Sequence, residues 1–302
     1  MARRVTLPVG LLAVICSLPF SVLCAQFHPT PAPCSLPPLS KKAVISWRKV
    51  IVKDINFDGP IHLTHSEIAR VIREANRKLL NADDPDWIKE FTETNLREAW
   101  QNQGYFKVLV TAQARPLSGN STEERFLVTA HVDEGLQYYL RNIRFRSATD
   151  TQFSDDLTFP EATLRAAIPV RDGEIFNVAL IRNGMDALMR LYNSRGYIDF
   201  VAVADTEVDD DLRPGISLVL ALDPEQQFHV GNIEIMALDP KLEARLREVV
   251  RPGEIFNPED IKDFFKENKS VFPSKPSSEN FPVLRNVKAG IVDLTFDFRP
   301  CP

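Results

Sequence analysis

The sequence predicts an α+β protein made of tandem β-α-α-β-β modules, and three observations predict it. Gly173-Glu174-Ile175-Phe176-Asn177 returns unchanged as Gly253-Glu254-Ile255-Phe256-Asn257, 80 residues on. The junctions ahead of these copies repeat too. Asp133-Glu134-Gly135 leads to Tyr138 and Asn142-Ile143-Arg144-Phe145, and Asp223-Pro224-Glu225 leads to Phe228 and Asn232-Ile233-Glu234-Ile235. Between these marks the apolar pattern switches from strand to helix period in the same order each time. A repeat of this length marks an array of small domains. Such arrays bind, hold or space things apart.

At the N-terminus, Arg3-Arg4 precede an uncharged apolar run from Leu7 to Leu23, broken by Pro19 and followed by Ala25. Residues 1–25 therefore read as a secretory signal peptide cleaved after Ala25. The alternative is an uncleaved anchor, since about 17–25 apolar residues can span a bilayer. Neither Cys16 nor Cys24 follows a small residue, which speaks against a lipoprotein. Residues 26–46 (Pro29, Pro31, Pro33, Pro37, Pro38) have the composition of a semi-rigid linker. Export leaves Cys34 and Cys301 as the thiols of the mature chain, and an oxidising compartment permits a disulfide between them. Against that pairing stands geometry: bridged Cα atoms must lie within about 7 Å, and in an extended array the two ends are far apart.

Module 1 (47–136) opens with the β-prone run Val50–Phe57, ended by Asp58-Gly59-Pro60. Thr64 with Glu67 forms a capping box for a helix that buries Ile68, Val71, Ile72, Ala75, Leu79 and Leu80. Asp84 and Pro85 start a second helix carrying Trp87, Ile88, Phe91, Leu96 and Trp100. Gly104 ends it. Tyr105-Phe106 lead into a strand, Val108 to Ala114, and a turn at Ser118-Gly119-Asn120 returns the chain as Phe126–Val132. Module 2 (137–226) repeats the order: strand Tyr139–Phe145, helix Pro160–Ile168, and a longer helix from its cap Asn177 to Ser194. The strand Ile198–Thr206, a turn at Asp209-Asp210-Asp211 and Pro214-Gly215, and the strand Ile216–Leu222 complete it. Module 3 (227–302) begins alike, with strand Phe228–Ile235, helix Pro240–Val250 and a helix from Asn257-Pro258 to Asn268. A proline- and serine-rich loop then precedes the strands Val283–Val287 and Gly290–Phe298.

The order and three short motifs resemble the polypeptide-transport-associated (POTRA) module of the Omp85/BamA outer-membrane assembly family. The motifs are Gly-Glu-x-Phe-Asn, Leu-Tyr-x-Ser-Arg-Gly-Tyr-Ile at 191–198, and Asp-Glu-Gly-x-Gln-Tyr at 133–138. The resemblance is strongest over 133–260. It implies a three-stranded mixed sheet with two helices on one face in each module. It also implies a periplasmic setting near the outer membrane, with outer-membrane protein precursors or a β-barrel assembly component as partners. The physical means would be strand addition, in which an edge strand offers unpaired N–H and C=O groups to an extended peptide. By resemblance the exposed edge is the strand after the second helix, here Tyr105–Ala114 and Tyr197–Thr206, with Tyr197, Ile198, Phe200, Val201 and Val203 at the binding edge. After Phe298 only Arg299-Pro300-Cys301-Pro302 remain, too few for a barrel, so the chain is expected to act as modules alone, in trans. A second reading is an anchored, divisome-type envelope protein bearing such modules.

Chemistry is sparsely encoded. The chain is 44% hydrophobic and 25% charged with net charge −5, and it lacks the basic, aromatic-interleaved stripe of a nucleic-acid binder. Gly-x-Ser-x-Gly, His-Glu-x-x-His, P-loop and Cys-x-x-Cys patterns are absent. His62 and His65 have no evident third ligand, so they read as a pair at a helix start. Asp209-Asp210-Asp211 lacks the alternating ligands of a calcium loop and reads as a solvated hairpin tip. Asn120 and Asn268 head glycosylation sequons. A hydrolase site within 270–302 would have to use a serine or Cys301 with no histidine nearby. The expectation is a non-enzymatic protein without cofactor or metal.

Overall fold

The computed structural model describes residues 49–59, 61–78, 85–117, 123–148, 157–272 and 283–299. The expected signal peptide and linker, Cys34, Cys301, Leu79, Leu80, Asp84, the expected turn at 118–120 and most of the expected proline-serine loop lie outside them. So do the side chains of Val71, Ile72, Ala75, Trp87, Ile88 and Phe91.

Module 1 consists of β1 (Lys49–Asp58), α1 (His65–Lys78), α2 (Pro85–Gln101), β2 (Leu109–Pro116) and β3 (Glu123–Asp133). Module 2 has β4 (Tyr139–Ser147), α3 (Glu161–Ala166), α4 (Val178–Asn193), β5 (Val201–Asp209) and β6 (Gly215–Asp223). Module 3 has β7 (His229–Met236), α5 (Pro240–Val249), α6 (Pro258–Glu267), β8 (Val283–Asn286) and β9 (Ile291–Asp297). The three sheets have the orders β1-β3-β2, β4-β6-β5 and β7-β9-β8. In each, the last strand is central, parallel to the first and antiparallel to the middle one. A parallel pair needs a long crossover, and the two helices supply it. Each module is thus α+β, with a three-stranded mixed sheet and a pair of helices.

Every module buries its own core. Leu96, Trp100, Val128 and Ala130 meet in the first, Leu140, Leu164, Leu188, Tyr192 and Leu220 in the second, and Phe228, Leu246, Phe264, Val292 and Phe296 in the third. Fully burying such a leucine or phenylalanine contributes about 1.5–3 kcal/mol. Helix starts follow the sequence signals. Thr64 N–H donates to Glu67 Oε2 (2.8 Å), and the Asn177 side chain accepts from Leu180 N–H (3.0 Å). Asn257 accepts from Glu259 N–H (3.1 Å) in the same way. Asn268 is buried. Its side-chain nitrogen donates to Phe264 O (2.7 Å) and its oxygen accepts from Arg245 (3.2 Å), so this sequon closes a helix and offers no free amide for a glycan.

The exits from α2 and α4 correct the expected strand limits. Tyr105–Ala114 becomes Leu109–Pro116, and Tyr197–Thr206 becomes Val201–Asp209. After Gly196 (φ +82°) the chain turns twice, with Tyr197 N–H donating to Tyr192 O (3.2 Å) and Phe200 N–H to Tyr197 O (3.3 Å). The rings explain why. Phe200 stacks on Tyr192 at 3.9 Å between centroids, and Tyr197 meets Tyr192 edge-on at 6.0 Å. Folding these aromatics onto the core outweighs extending the strand by four residues.

Candidate binding edge and module joints

β5 lies at the edge of its sheet and pairs only with β6. Of the residues expected at the binding edge, Val201 and Val203 are on this strand, 49% and 59% exposed. Tyr197, Ile198 and Phe200 sit in the turn before it and face inward: Tyr197 and Phe200 toward the core of module 2, Ile198 against that of module 3. Val201, Val203, Asp205 and Glu207 share the sheet face opposite the helices, in register with Asp223, Ala221, Val219 and Ser217. Ala202, Ala204 and Thr206 are on the helix side, opposite Leu222, Leu220 and Leu218. Helix α4 touches β5 only lightly, and Ala204 is exposed. Among the described residues, no side chain or neighbouring strand takes up the outer backbone edge of β5.

The corresponding edge in module 1 is different. Helix α2 packs closely along β2, and Ala112 is 1% exposed. Ala112 N–H donates to Glu93 Oε1 at 2.6 Å, which places a carboxylate from the helix on an edge amide of the strand.

The repeated pentapeptide makes the joints between modules. Gly173 N–H donates to Leu140 O (2.7 Å), Leu140 N–H to Glu174 O (2.8 Å) and Phe176 N–H to Tyr138 O (3.0 Å), fastening the segment beside β4. The same three bonds join Gly253, Glu254 and Phe256 to Val230 and Phe228 at 2.7, 2.8 and 2.9 Å. Ile175 and Ile255 then point at the preceding module. A Cβ added at Gly104 (φ +89°) would stand 2.7 Å from Ile175 Cγ2 and 2.9 Å from Tyr138 O. One at Gly196 would stand 3.0 Å from Ile255 Cγ2 and 2.6 Å from Phe228 O. The backbones meet here as well: Tyr138 N–H donates to Gly104 O (2.8 Å) and Phe228 N–H to Gly196 O (2.9 Å). Only glycine permits both the positive φ and the approach.

Polar groups complete the first joint. Asp210 stands at an exposed hairpin tip, as expected, and is also engaged. Its carboxylate accepts from Lys107 Nζ (2.9 and 2.6 Å) and from Tyr138 Oη (2.6 Å), which tie it to module 1 and to β4's entry. Those bonds hold the Asp210 carboxyl below the ordinary range and raise the Lys107 ammonium. Asp209 pairs with Arg141. At the second joint Asp199 pairs with Arg285.

Glu134, which the sequence shows only as part of a junction, is 6% exposed and takes three donors. His62 N–H donates to Oε1 (2.8 Å), Trp100 Nε1–H donates to the same oxygen (2.7 Å), and the His62 ring meets Oε2. Burial alone would raise this carboxyl. The bonds from His62 and Trp100 outweigh it and hold the group below the usual carboxylate range. His62 is thereby committed to a structural contact at the end of β3. Among the described residues, no cluster of three or more His, Cys, Asp or Glu residues forms a metal site, and no helix is long and apolar enough to cross a membrane.

Comparison with known proteins agrees with this architecture. Residues 138–224 match the POTRA family model, described as "Surface antigen variable number repeat". A curated Treponema pallidum (strain Nichols) protein named for outer membrane protein assembly is 24% identical over 221 residues, which cover 72% of this chain and 25% of that protein. The chain thus spans about a quarter of that relative's length. The crystal structure of Haemophilus influenzae BamA POTRA3-5 superposes with a TM-score of 0.54 at 18% identity, covering 82% of this chain and 94% of that one. That likeness is one of fold.

Proposed function

Taking a tandem of POTRA modules as the premise, we propose that the protein is a non-enzymatic scaffold of the bacterial envelope that receives extended segments of outer-membrane protein precursors. The relative named for outer membrane protein assembly supports that setting, as does the fold shared with BamA POTRA3-5. Its place is the periplasm, beside a β-barrel assembly component, and its chemistry is hydrogen bonding and apolar contact.

The observation that carries this reading is the open edge of β5. Val201 and Val203 flank an unpaired backbone, and the small Ala202 and Ala204 leave room on the helix side for alternate side chains of an added strand. Backbone pairing gives affinity with little sequence demand, while alternate pockets grade the clients.

The test is hydrogen exchange of the protein mixed with a peptide taken from an outer-membrane β-strand. The expected footprint covers Val201–Thr206. Ala204→Pro should remove it while the protein stays folded, since proline is tolerated on an edge whose N–H faces outward. Val203→Lys should weaken it. A peptide that leaves β5 unprotected at saturating concentration would sink the proposal.

A further inference from the structure

The second helix and the strand after it align between modules 1 and 2 at a constant spacing of 92 residues. Leu96, Trp100 and Gly104 correspond to Leu188, Tyr192 and Gly196. In both modules the first two are buried at the same place in the core, and the glycine carries the positive φ. The same spacing carries Ala112 to Ala204 and Glu93 to Met185. The two alanines are chemically identical and sit at the same register position of the edge strand, opposite Ala130 and Leu220 on the central strand. One is buried at 1% with its amide on a carboxylate; the other is exposed. What differs is the residue on the helix above. Glu93 accepts the edge N–H, whereas the thioether of Met185 is a weak acceptor and packs against the core of module 2.

Resting on the strand-addition reading above, we propose that Glu93 is the specificity-determining residue of the array. It keeps the edge of module 1 closed with its own side chain, so that a client strand is taken by β5. The Glu93 carboxylate fills one of the acceptor positions that the carbonyl of an added strand would use. Module 3 offers little competition. Among the described residues its edge strand β8 has four, and short edge strands resist pairing. Among the edge strands that follow a second helix this leaves β5, so these edges take one extended, amphipathic segment, of a length that a single module accommodates.

The experiment exchanges the two residues. Hydrogen exchange is measured on the wild type, Glu93→Met and Met185→Glu, each with and without the outer-membrane strand peptide. Without peptide, Glu93→Met should speed exchange of the Ala112 amide by about tenfold, the size that a hydrogen bond to a charged group supports. With peptide, it should add a second footprint on β2. Met185→Glu should slow exchange at Ala204 and weaken the β5 footprint. Glu93→Gln retains an acceptor oxygen and should keep β2 closed, which separates a lost gate from a misfolded helix.

A β2 footprint already present in the wild type would overturn the assignment of Glu93. So would Glu93→Met exposing Ala112 without gaining a β2 footprint while β5 still binds. If β5 itself shows no footprint, the function reading fails instead, and the Ala112 exchange rates still decide whether Glu93 closes the edge.

Discussion

The joint between modules 1 and 2 and the joint between modules 2 and 3 share one plan and differ in the sign of their charges. In both, a glycine after the second helix receives an isoleucine from the repeated pentapeptide, and its carbonyl accepts the N–H of the aromatic that opens the next module. In both, the third residue after that glycine carries a charge paired with the following module. At the first joint it is Lys107, held by Asp210; at the second it is Asp199, held by Arg285. What was kept between the copies is the close backbone approach and the apolar contact. What was free to reverse is the ion pair. Spacing in this array therefore rests on sterics and backbone hydrogen bonds, and the charges add to a geometry already set.

The largest expected effect follows from that division. Gly196→Ala introduces a Cβ 2.6 Å from a backbone oxygen, and Gly104→Ala one 2.7 Å from a side-chain methyl group. Holding a non-glycine residue at such a φ costs about 1–3 kcal/mol before any clash. The methyl of Ile175 can move. Tyr138 O, 2.9 Å from the Cβ at Gly104, and Phe228 O, 2.6 Å from the one at Gly196, each accept an N–H of the pentapeptide and are fixed, so the closer approach at Gly196 is the worse clash. Both variants should lower the unfolding midpoint in urea, Gly196→Ala by more. Equal and small losses would mean that the joints are looser than the contacts imply.

The next effect separates module 1 from module 2. Glu134 joins the end of β3 to His62 and to Trp100 of α2, while Pro224 stands at the corresponding place in module 2. Leaving the Trp100 and His62 donors without a carboxylate should destabilise module 1 by about 1–3 kcal/mol in Glu134→Leu. The pH dependence follows from the lowered carboxyl. An unfolded glutamate titrates near about 4.3, so the stabilising contribution of folded Glu134 is complete above that value. It is lost as pH falls through the lower folded value. Near-ultraviolet absorbance of the tryptophans, all of which (Trp47, Trp87, Trp100) belong to module 1, should report its acid unfolding. Glu134→Gln, which has no charge to lose, should flatten that part of the curve.

The sequence made the architecture legible because its signals are local. The caps Thr64, Asn177 and Asn257 describe contacts within a few residues, and the repeated pentapeptide and the apolar faces at helical spacing are patterns that show within a short window. The strand starts were misplaced because Ile198, Phe200 and Ala202 alternate as a strand does; nothing local shows that Phe200 stacks back on Tyr192. Ile175 and Ile255 were the missed joint residues. They are 37% and 40% exposed within an otherwise structural motif, and an apolar side chain repeated at a solvent-facing position is the trace such a contact leaves. Glu93 and Asp210 were illegible for a different reason. Their partners, Ala112 and Lys107, are 19 and 103 residues away, and only the folded chain brings them together.

The smallest effect belongs to the reversible charges. Lys107 and Asp210 are each about half exposed, and exposed ion pairs contribute little because water and salt screen them. Lys107→Asp should therefore leave the fold intact. It should still loosen the first joint, since two carboxylates would then face each other beside Tyr138. Asp210→Lys in the same chain should restore the attraction with its direction inverted, which is the arrangement the second joint already uses at Asp199 and Arg285. The restoring effect should be visible at low ionic strength, as a return of the distance between probes on modules 1 and 2 to its wild-type value, and should fade at high salt. If the double variant fails to recover at low salt, the bond from Tyr138 Oη to Asp210, which an inverted pair cannot make in the same way, is the stronger half of the contact, and the likeness between the joints ends at the isoleucine and the glycine.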